Sequence, residues 1–267
     1  MSDTGPAVRR FVVIGDSFPE GVGDPEPRCP NGVRGWADRM AEVLARRAVE
    51  TGGSPTRYAN LAIRGKLLGP VVDEQLEPAV ALDPDLIGMC AGANDLLRPS
   101  VDIDAIIARY DDALGALVDT GARVFTFTAF DTGGRPLFAA MRGRFAIYNE
   151  LLREVVERRG IELVDFWRMR EFSDRRMWEF DRMHLSSAGH HQMAIRVLES
   201  LGIDHDLVPV AFGPPETMTA AQRRKDNRQW AAQAAAPWIG RRLRGRSRGD
   251  NMTPKYPDLT ELSPATR

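Results

Sequence analysis

Cysteine is scarce in this chain, with only Cys29 and Cys90 in 267 residues and no Cys-x-x-Cys spacing between them. One lies in a Pro-rich segment and the other at the end of an apolar run, which excludes a disulfide framework and a thiolate metal or redox motif and predicts two free thiols. Long hydrophobic runs are missing too, since no stretch approaches the roughly 18 apolar residues that span a bilayer. The first ten residues mix charges with a proline, and the apolar run after them is only "FVVI", too short for the core of a signal peptide, so a cytoplasmic protein is expected. Net charge is slight as well: at −1 it gives no sign of nucleic-acid binding, and none is expected. No Gly-x-Gly-x-x-Gly or P-loop follows the first apolar run, which speaks against a phosphate cradle there.

What the chain does have is alternation. Five short, nearly unbroken apolar segments predict strands buried on both faces: "RFVVIG" (10–15), "RYANLA" (57–62), "DLIGMCAG" (85–92), "ARVFTFTAF" (122–130) and "IELVDF" (161–166). Between them lie helical patterns. "WADRMAEVLARRAVE" puts Trp36, Met40, Val43, Leu44 and Ala48 on one stripe, and "DIDAIIARYDDALGALVDTG" repeats Ile106, Ile107, Tyr110, Leu114 and Leu117 before Gly121. "RFAIYNELLREVVERRG" and "SSAGHHQMAIRVLESLG" follow the same logic, the latter opening on two serines suited to cap it. The stretch from Leu67 to Leu82 is a weaker helix because Pro70 and Pro78 restrict it. Five rounds of strand and helix predict a five-stranded parallel sheet in an α/β/α sandwich with right-handed crossovers.

The alternation stops near residue 203. The chain therefore divides into a main domain, 1–203, and a C-terminal extension, 204–267. That extension is predicted to hold one helix, "TAAQRRKDNRQWAAQAAA", closed by Pro237. Five arginines then fall within Arg241 to Arg248, a solvated tail or a patch for anionic surfaces, and the Pro-rich polar end has the composition of extended or disordered chain.

In a doubly wound sheet, ligands bind beyond the carboxyl ends of the strands. Strand one exits into Gly15-Asp16-Ser17, strand two into "NLAIRGK" with Asn60 and Gly65, and strand three into "GANDLL" with Asn94 and Asp95, while "DRMHLSSAGHH" precedes the last helix with Asp181 and His184. Acyl-bond hydrolysis needs such a set. A serine hydroxyl attacks well only when a base takes its proton, an imidazole suits that task, and an aspartate holds the imidazole's tautomer and balances its charge. Ser17, His184 and Asp181 are the candidates. The N–H groups of Ser17 and Gly65 and the side-chain amide of Asn94 are placed to receive the negative charge of a tetrahedral intermediate. His184 competes with His190, His191 and His205, of which the first two fall inside a helical stretch and are expected to be packed or solvated.

These blocks resemble the SGNH hydrolases, or GDSL esterase/lipase family: "GDSF" matches the first block with Phe18 where leucine is commonest, "NLAIRG" resembles the second, "GAND" the third and "DRMH" the fifth. The resemblance covers roughly the first 203 residues. It implies a flavodoxin-like fold and a carboxylic ester hydrolase without cofactor or metal. Ser17 would be the nucleophile, Asp181 and His184 would complete the triad, and Ser17, Gly65 and Asn94 would form the oxyanion hole. The expected partner is a small acyl ester of short or medium chain, acetyl among them. A thioesterase, lysophospholipase or acyltransferase using the same site is the alternative, as is a non-catalytic binding protein on the same fold.

Several residues carry two readings. Ser17 is also a natural helix N-cap, Asp16 a brace of the turn, Gly65 a residue of positive φ, and Asp95 a cap for the helix that follows it. Arg64, where a small residue is common in the family, either favours an anionic substrate or points to solvent. The long connection 131–144 is the candidate lid. Phe130, Leu137 and Phe138 there line an acyl pocket or fill a core beneath it, and Arg142 and Arg144 are candidates to meet an anionic leaving group.

Overall fold

The computed structural model describes residues 8–133, 139–214, 217–244 and 247–262. Five strands are the apolar runs of the sequence: β1 (Arg10–Gly15), β2 (Arg57–Asn60), β3 (Leu86–Cys90), β4 (Arg123–Phe127) and β5 (Glu162–Val164). All are parallel to their neighbours in this set. β2 to β5 stop short of the apolar runs that announced them. The last apolar residues of those runs, such as Leu61 and Ala62 or Ala91, lie past the strand ends and stay buried as the first residues of the exit loops, Leu61 N still donating to Val13 O at 3.0 Å.

The sheet has six strands, not the five expected. The sixth, β6 (Tyr256–Glu261), comes from the polar, Pro-containing end of the chain and pairs antiparallel with β2, giving the order β5-β4-β3-β1-β2-β6. None of its residues is buried, so it has no hydrophobic alternation for a sequence pattern to reveal. Its anchor is polar. The Lys255 ammonium, wholly removed from solvent, donates to Asp38 Oδ2 at 2.9 Å and to the carbonyls of Val33 and Glu20 at 2.7 and 3.1 Å. All three of its protons are satisfied, and stranding Asp38 by removing the lysine would cost about 3–5 kcal/mol.

Helix α1 (Ser17–Glu20) is a single turn, and α2 (Trp36–Glu50) follows it. Next come α3 (Leu68–Ala81), the short α4 (Ala93–Leu96), α5 (Ile103–Val118), α6 (Arg142–Arg159) and α7 (Ser187–Ser200). α2 packs with α7 on one face of the sheet, and α3, α5 and α6 lie on the other. The stripe of α2 is buried as its spacing required, with Trp36 fully enclosed and its ring 4.9 Å from that of Phe127. Burial of one such large side chain contributes about 1.5–3 kcal/mol. The first strand sits between β2 and β3, so the chain reverses its direction of travel across the sheet at β1, and the exits of β1 and β3 open onto one crevice.

The extension differs from its expected single helix closed by Pro237. Helix α8 (Ala220–Trp230) passes through a π-helical turn, Ala231–Ala235, into α9 (Ala236–Leu243), which contains Pro237. Pro237, which has no N–H to donate, directly follows the π-helical turn in which Ala236 N reaches back to Ala231 O, the kind of irregular turn at which a break in the ladder is accommodated. Among the described residues no helix is long and apolar enough to cross a membrane.

Candidate active site

The apolar β1 ends at Gly15, whose φ is +147° and where a side chain would strike the Cys90 carbonyl, so glycine lets β1 and β3 stay adjacent to their last residue. Asp16 then caps α1, its Oδ1 accepting from Phe18 N at 3.1 Å. The cap role of the turn thus falls to Asp16, and the Ser17 hydroxyl is left for other work. Buried Gln75, from α3, braces the strand end from below: its amide accepts from Gly15 N at 2.8 Å and donates to Gly15 O at 3.0 Å.

Ser17 Oγ lies 3.1 Å from His184 Nε2, and His184 Nδ1 lies 2.6 Å from Asp181 Oδ2. The three-residue spacing works because Arg182 turns the loop with φ +61°, and Asp181 Oδ1 accepts the N–H groups of Met183 and His184 at 2.9 and 3.0 Å. Burial pushes the Asp181 carboxyl up, but the hydrogen bond and charge of His184 and those two amides outweigh it and hold it at about 2. It is therefore ionised at neutral pH and fixes the imidazole proton on Nδ1, with Nε2 free to accept from Ser17.

The expected oxyanion donors converge on the same cavity, of about 380 Å³, which Ser17, Gly65, Asn94 and His184 all line. Gly65 has φ +79°. Among the described residues neither Ser17 N nor Gly65 N donates a hydrogen bond. Asn94 Nδ2 donates to Asp16 Oδ2 at 3.0 Å and to Lys66 O at 3.1 Å. Burial pushes the Asp16 carboxyl up to about 6, against the pull of the Phe18 amide, the His184 charge and the Asn94 amide.

The other candidates fall elsewhere. Arg64 lines the cavity, yet its guanidinium is held by Glu20, a fully buried carboxylate, at 2.6 Å, and Glu20 also accepts Arg64 N at 2.6 Å. Phe130 does not line this cavity but a neighbouring one of about 450 Å³, where its ring is 5.2 Å from Trp178 and 6.3 Å from Phe18. Leu137 and Phe138 lie outside the described residues, as does part of the 131–144 connection. Arg142 and Arg144 belong to the first turn of α6, paired with Asp131 at 2.8 Å and donating to the Arg98 carbonyl at 2.8 Å. Asp95 does not cap the helix that follows: Asp102 caps α5, and Asp95 Oδ2 accepts from Leu68 N at 2.9 Å, capping the earlier α3 across the crevice. His190 is packed, taking a hydrogen bond from Trp36 N at 3.3 Å and donating to Val22 O at 3.1 Å. His191 binds the Val208 carbonyl at 2.8 Å. Both cysteines are free, and burial pushes their thiols up. Among the described residues no group of three or more His, Cys, Asp or Glu side chains is arranged to hold a metal ion.

Sequence reasoning did not find the contribution of the extension. Trp230 Nε1 donates to the Asp181 carbonyl at 2.9 Å, Arg182 stacks over the Trp230 ring at 4.7 Å, and Arg182 pairs with Asp226 at 2.5 Å. Ser247 Oγ donates to the Arg64 carbonyl at 3.2 Å, directly above Gly65. Gln233, Ala234, Trp238, Arg241 and Arg248 line the cavity together with Ser17, Asp181 and His184. A tryptophan just before an alanine run was the available signal, and its target, a carbonyl 49 residues away, was not.

The sequence profile of the GDSL-like Lipase/Acylhydrolase family matches residues 13–192. No curated protein matches the chain. Among solved structures, Axe2, an acetylxylan esterase from Geobacillus stearothermophilus, is similar with a TM-score of 0.61 at 20% identity, over 73% of this chain and 95% of that one. LAE5, an alpha/beta hydrolase enzyme from the metagenome of Lake Arreo, Spain, is similar with a TM-score of 0.59 at 24% identity, over 73% and 95% of the two chains. The acetyl xylan esterase AlAXEase follows at 0.56 and 18%, over 72% and 99%.

Proposed function

Because this chain belongs to the GDSL-like Lipase/Acylhydrolase family, we propose that it hydrolyses a carboxylic ester of a small molecule through an acyl-enzyme on Ser17. The observation that carries this reading is the line from Ser17 Oγ to His184 Nε2 at 3.1 Å and from His184 Nδ1 to Asp181 at 2.6 Å, closed between residues 167 positions apart. His184 takes the Ser17 proton as Oγ attacks the carbonyl carbon, and returns it to the departing alkoxide. Water, deprotonated by the same imidazole, then attacks the acyl-enzyme and releases the carboxylic acid and Ser17. During both attacks the oxyanion is met by the uncommitted N–H groups of Ser17 and Gly65, with Asn94 turning one of its two donors from its ground-state partners. Acetyl is the proposed acyl group, as in the acetylxylan esterases that share the fold.

Ser17→Ala is expected to abolish turnover of p-nitrophenyl acetate and labelling by a fluorophosphonate while the thermal unfolding curve stays that of a folded protein. Turnover retained in that variant would remove Ser17 from the chemistry.

A further inference from the structure

The profile that matches the family ends at residue 192, and one wall of the catalytic cavity is built by residues beyond it. Two of these, Arg241 and Arg248, are cations. Elsewhere several buried or half-buried arginines pair with carboxylates, Arg34 with Glu42, Arg39 with Asp24, Arg64 with Glu20, Arg153 with Asp165 and Arg182 with Asp226, while Arg144 and Arg175 are held by backbone carbonyls. Among the described residues half-buried Arg241 and exposed Arg248 have no carboxylate partner. Burial and the neighbouring charges of Arg248 and Arg244 all push the Arg241 guanidinium below its usual value, and no carboxylate offsets them. Of the carboxylates that line the cavity, Asp181 is bound to His184, and Glu179, whose Cγ lies against Gly23, makes no ion pair with either arginine among the described residues; Glu20 is held by Arg64. Asp250, in the same turn as Arg248, accepts Ser247 N at 2.9 Å.

Like charges gathered at the wall of a cavity repel one another until an anion enters, and a guanidinium binds an oxyacid group with two parallel N–H bonds. Resting on the serine-hydrolase reading above, we propose that the ester accepted by this site carries an anionic oxyacid group, a carboxylate or phosphate, held by Arg241 and Arg248. The turn 247–249 fixes the position of this group relative to the chemistry, because Ser247 and Gly249 both sit on the Arg64 carbonyl that precedes Gly65. The extension thus supplies specificity, while the loops of the main sheet supply the reacting groups.

Two matched ester pairs test this. Mono-p-nitrophenyl succinate against p-nitrophenyl butyrate places the anion on the acyl side, and 4-carboxybenzyl acetate against benzyl acetate places it on the alcohol side. In the wild-type chain, kcat/KM for the anionic member of at least one pair is expected to exceed that of its neutral twin by about tenfold or more, the size of one charged hydrogen-bonded contact. The pair that shows it identifies the side, and the preference should shrink as salt is added. In Arg241→Gln/Arg248→Gln the ratio should fall to near unity, mainly through KM. Equal handling of both twins in both pairs, or a preference that survives the double substitution, overturns the anionic-group inference while leaving ester hydrolysis standing. Absence of turnover on every ester, together with no fluorophosphonate labelling of Ser17, overturns the hydrolase reading and this inference with it.

Discussion

Asn94 shows how a single side chain is placed twice over. Its amide holds the ionised form of Asp16 and the Lys66 carbonyl in the resting site, so the three loops after β1, β2 and β3 are tied at one point. On substrate binding one of those donors is proposed to move to the developing oxyanion. Asn94→Ala is then expected to lower kcat by about 10²-fold with little change in KM, because the lost contact exists only in the transition state. Steady-state kinetics on p-nitrophenyl acetate would check it, and an unchanged kcat would leave Asn94 as a loop tie alone. Gly65 is constrained differently. Its φ of +79° exposes the N–H, and Ser247 Oγ occupies the space of any Cβ, so the residue is glycine for two independent reasons.

At the scale of elements, α8 acts on the loop that carries Asp181 and His184. Trp230 donates to the Asp181 carbonyl while its ring supports Arg182, the residue in left-handed conformation within that loop. Trp230→Phe keeps the ring and removes the hydrogen bond, worth about 1 kcal/mol, or about fivefold. A positioning role predicts that kcat falls by that factor with KM held, and that the acid limb of the pH–rate profile shifts because the carboxylate–imidazole geometry is loosened. A change in thermal stability with unaltered kcat and profile would mean that the contact only holds the helix down. The strand β6 shows the opposite economy of signal: the Lys255–Asp38 pair and a backbone ladder hold it, and of its residues only half-buried Tyr256, its ring 5.5 Å from Tyr58, and Leu259 pack on the core, too few to form a strand pattern.

Stability belongs to the whole molecule, and two buried groups give it opposing pH dependence. Asp16 is raised from an ordinary 3.8 to about 6, so its contribution is fully present below pH 3.8 and is lost as pH rises through 6. His190 is lowered from an ordinary 6.5 to about 4 by burial, against the pull of the Val22 carbonyl and Asp24, so its contribution is present above pH 6.5 and is lost as pH falls through 4. Each linkage is worth about 3 kcal/mol, and across this range they largely cancel. Urea unfolding of the wild-type chain is thus expected to change little between pH 6.5 and 4. Asp16→Asn should uncover the histidine, its unfolding free energy falling by about 3 kcal/mol over that interval. A flat profile in the variant would contradict a neutral, enclosed His190.

The amino-acid order by itself determined the five parallel strands, their helices, and the loops on which Ser17, Asn94, Asp181 and His184 stand, because apolar period and strand exits are local properties of a chain. Only the tertiary structure decided the rest. Whether Ser17 or Asp16 capped the first turn, that Asp95 served α3 rather than the next helix, and that Arg64 was bound to Glu20 all depended on partners remote in sequence. The edge strand and the cationic wall were invisible for the same reason. Polar residues carry no periodic hydrophobic signal, and their positions are set by hydrogen bonds and charges that exist only after the sheet has formed.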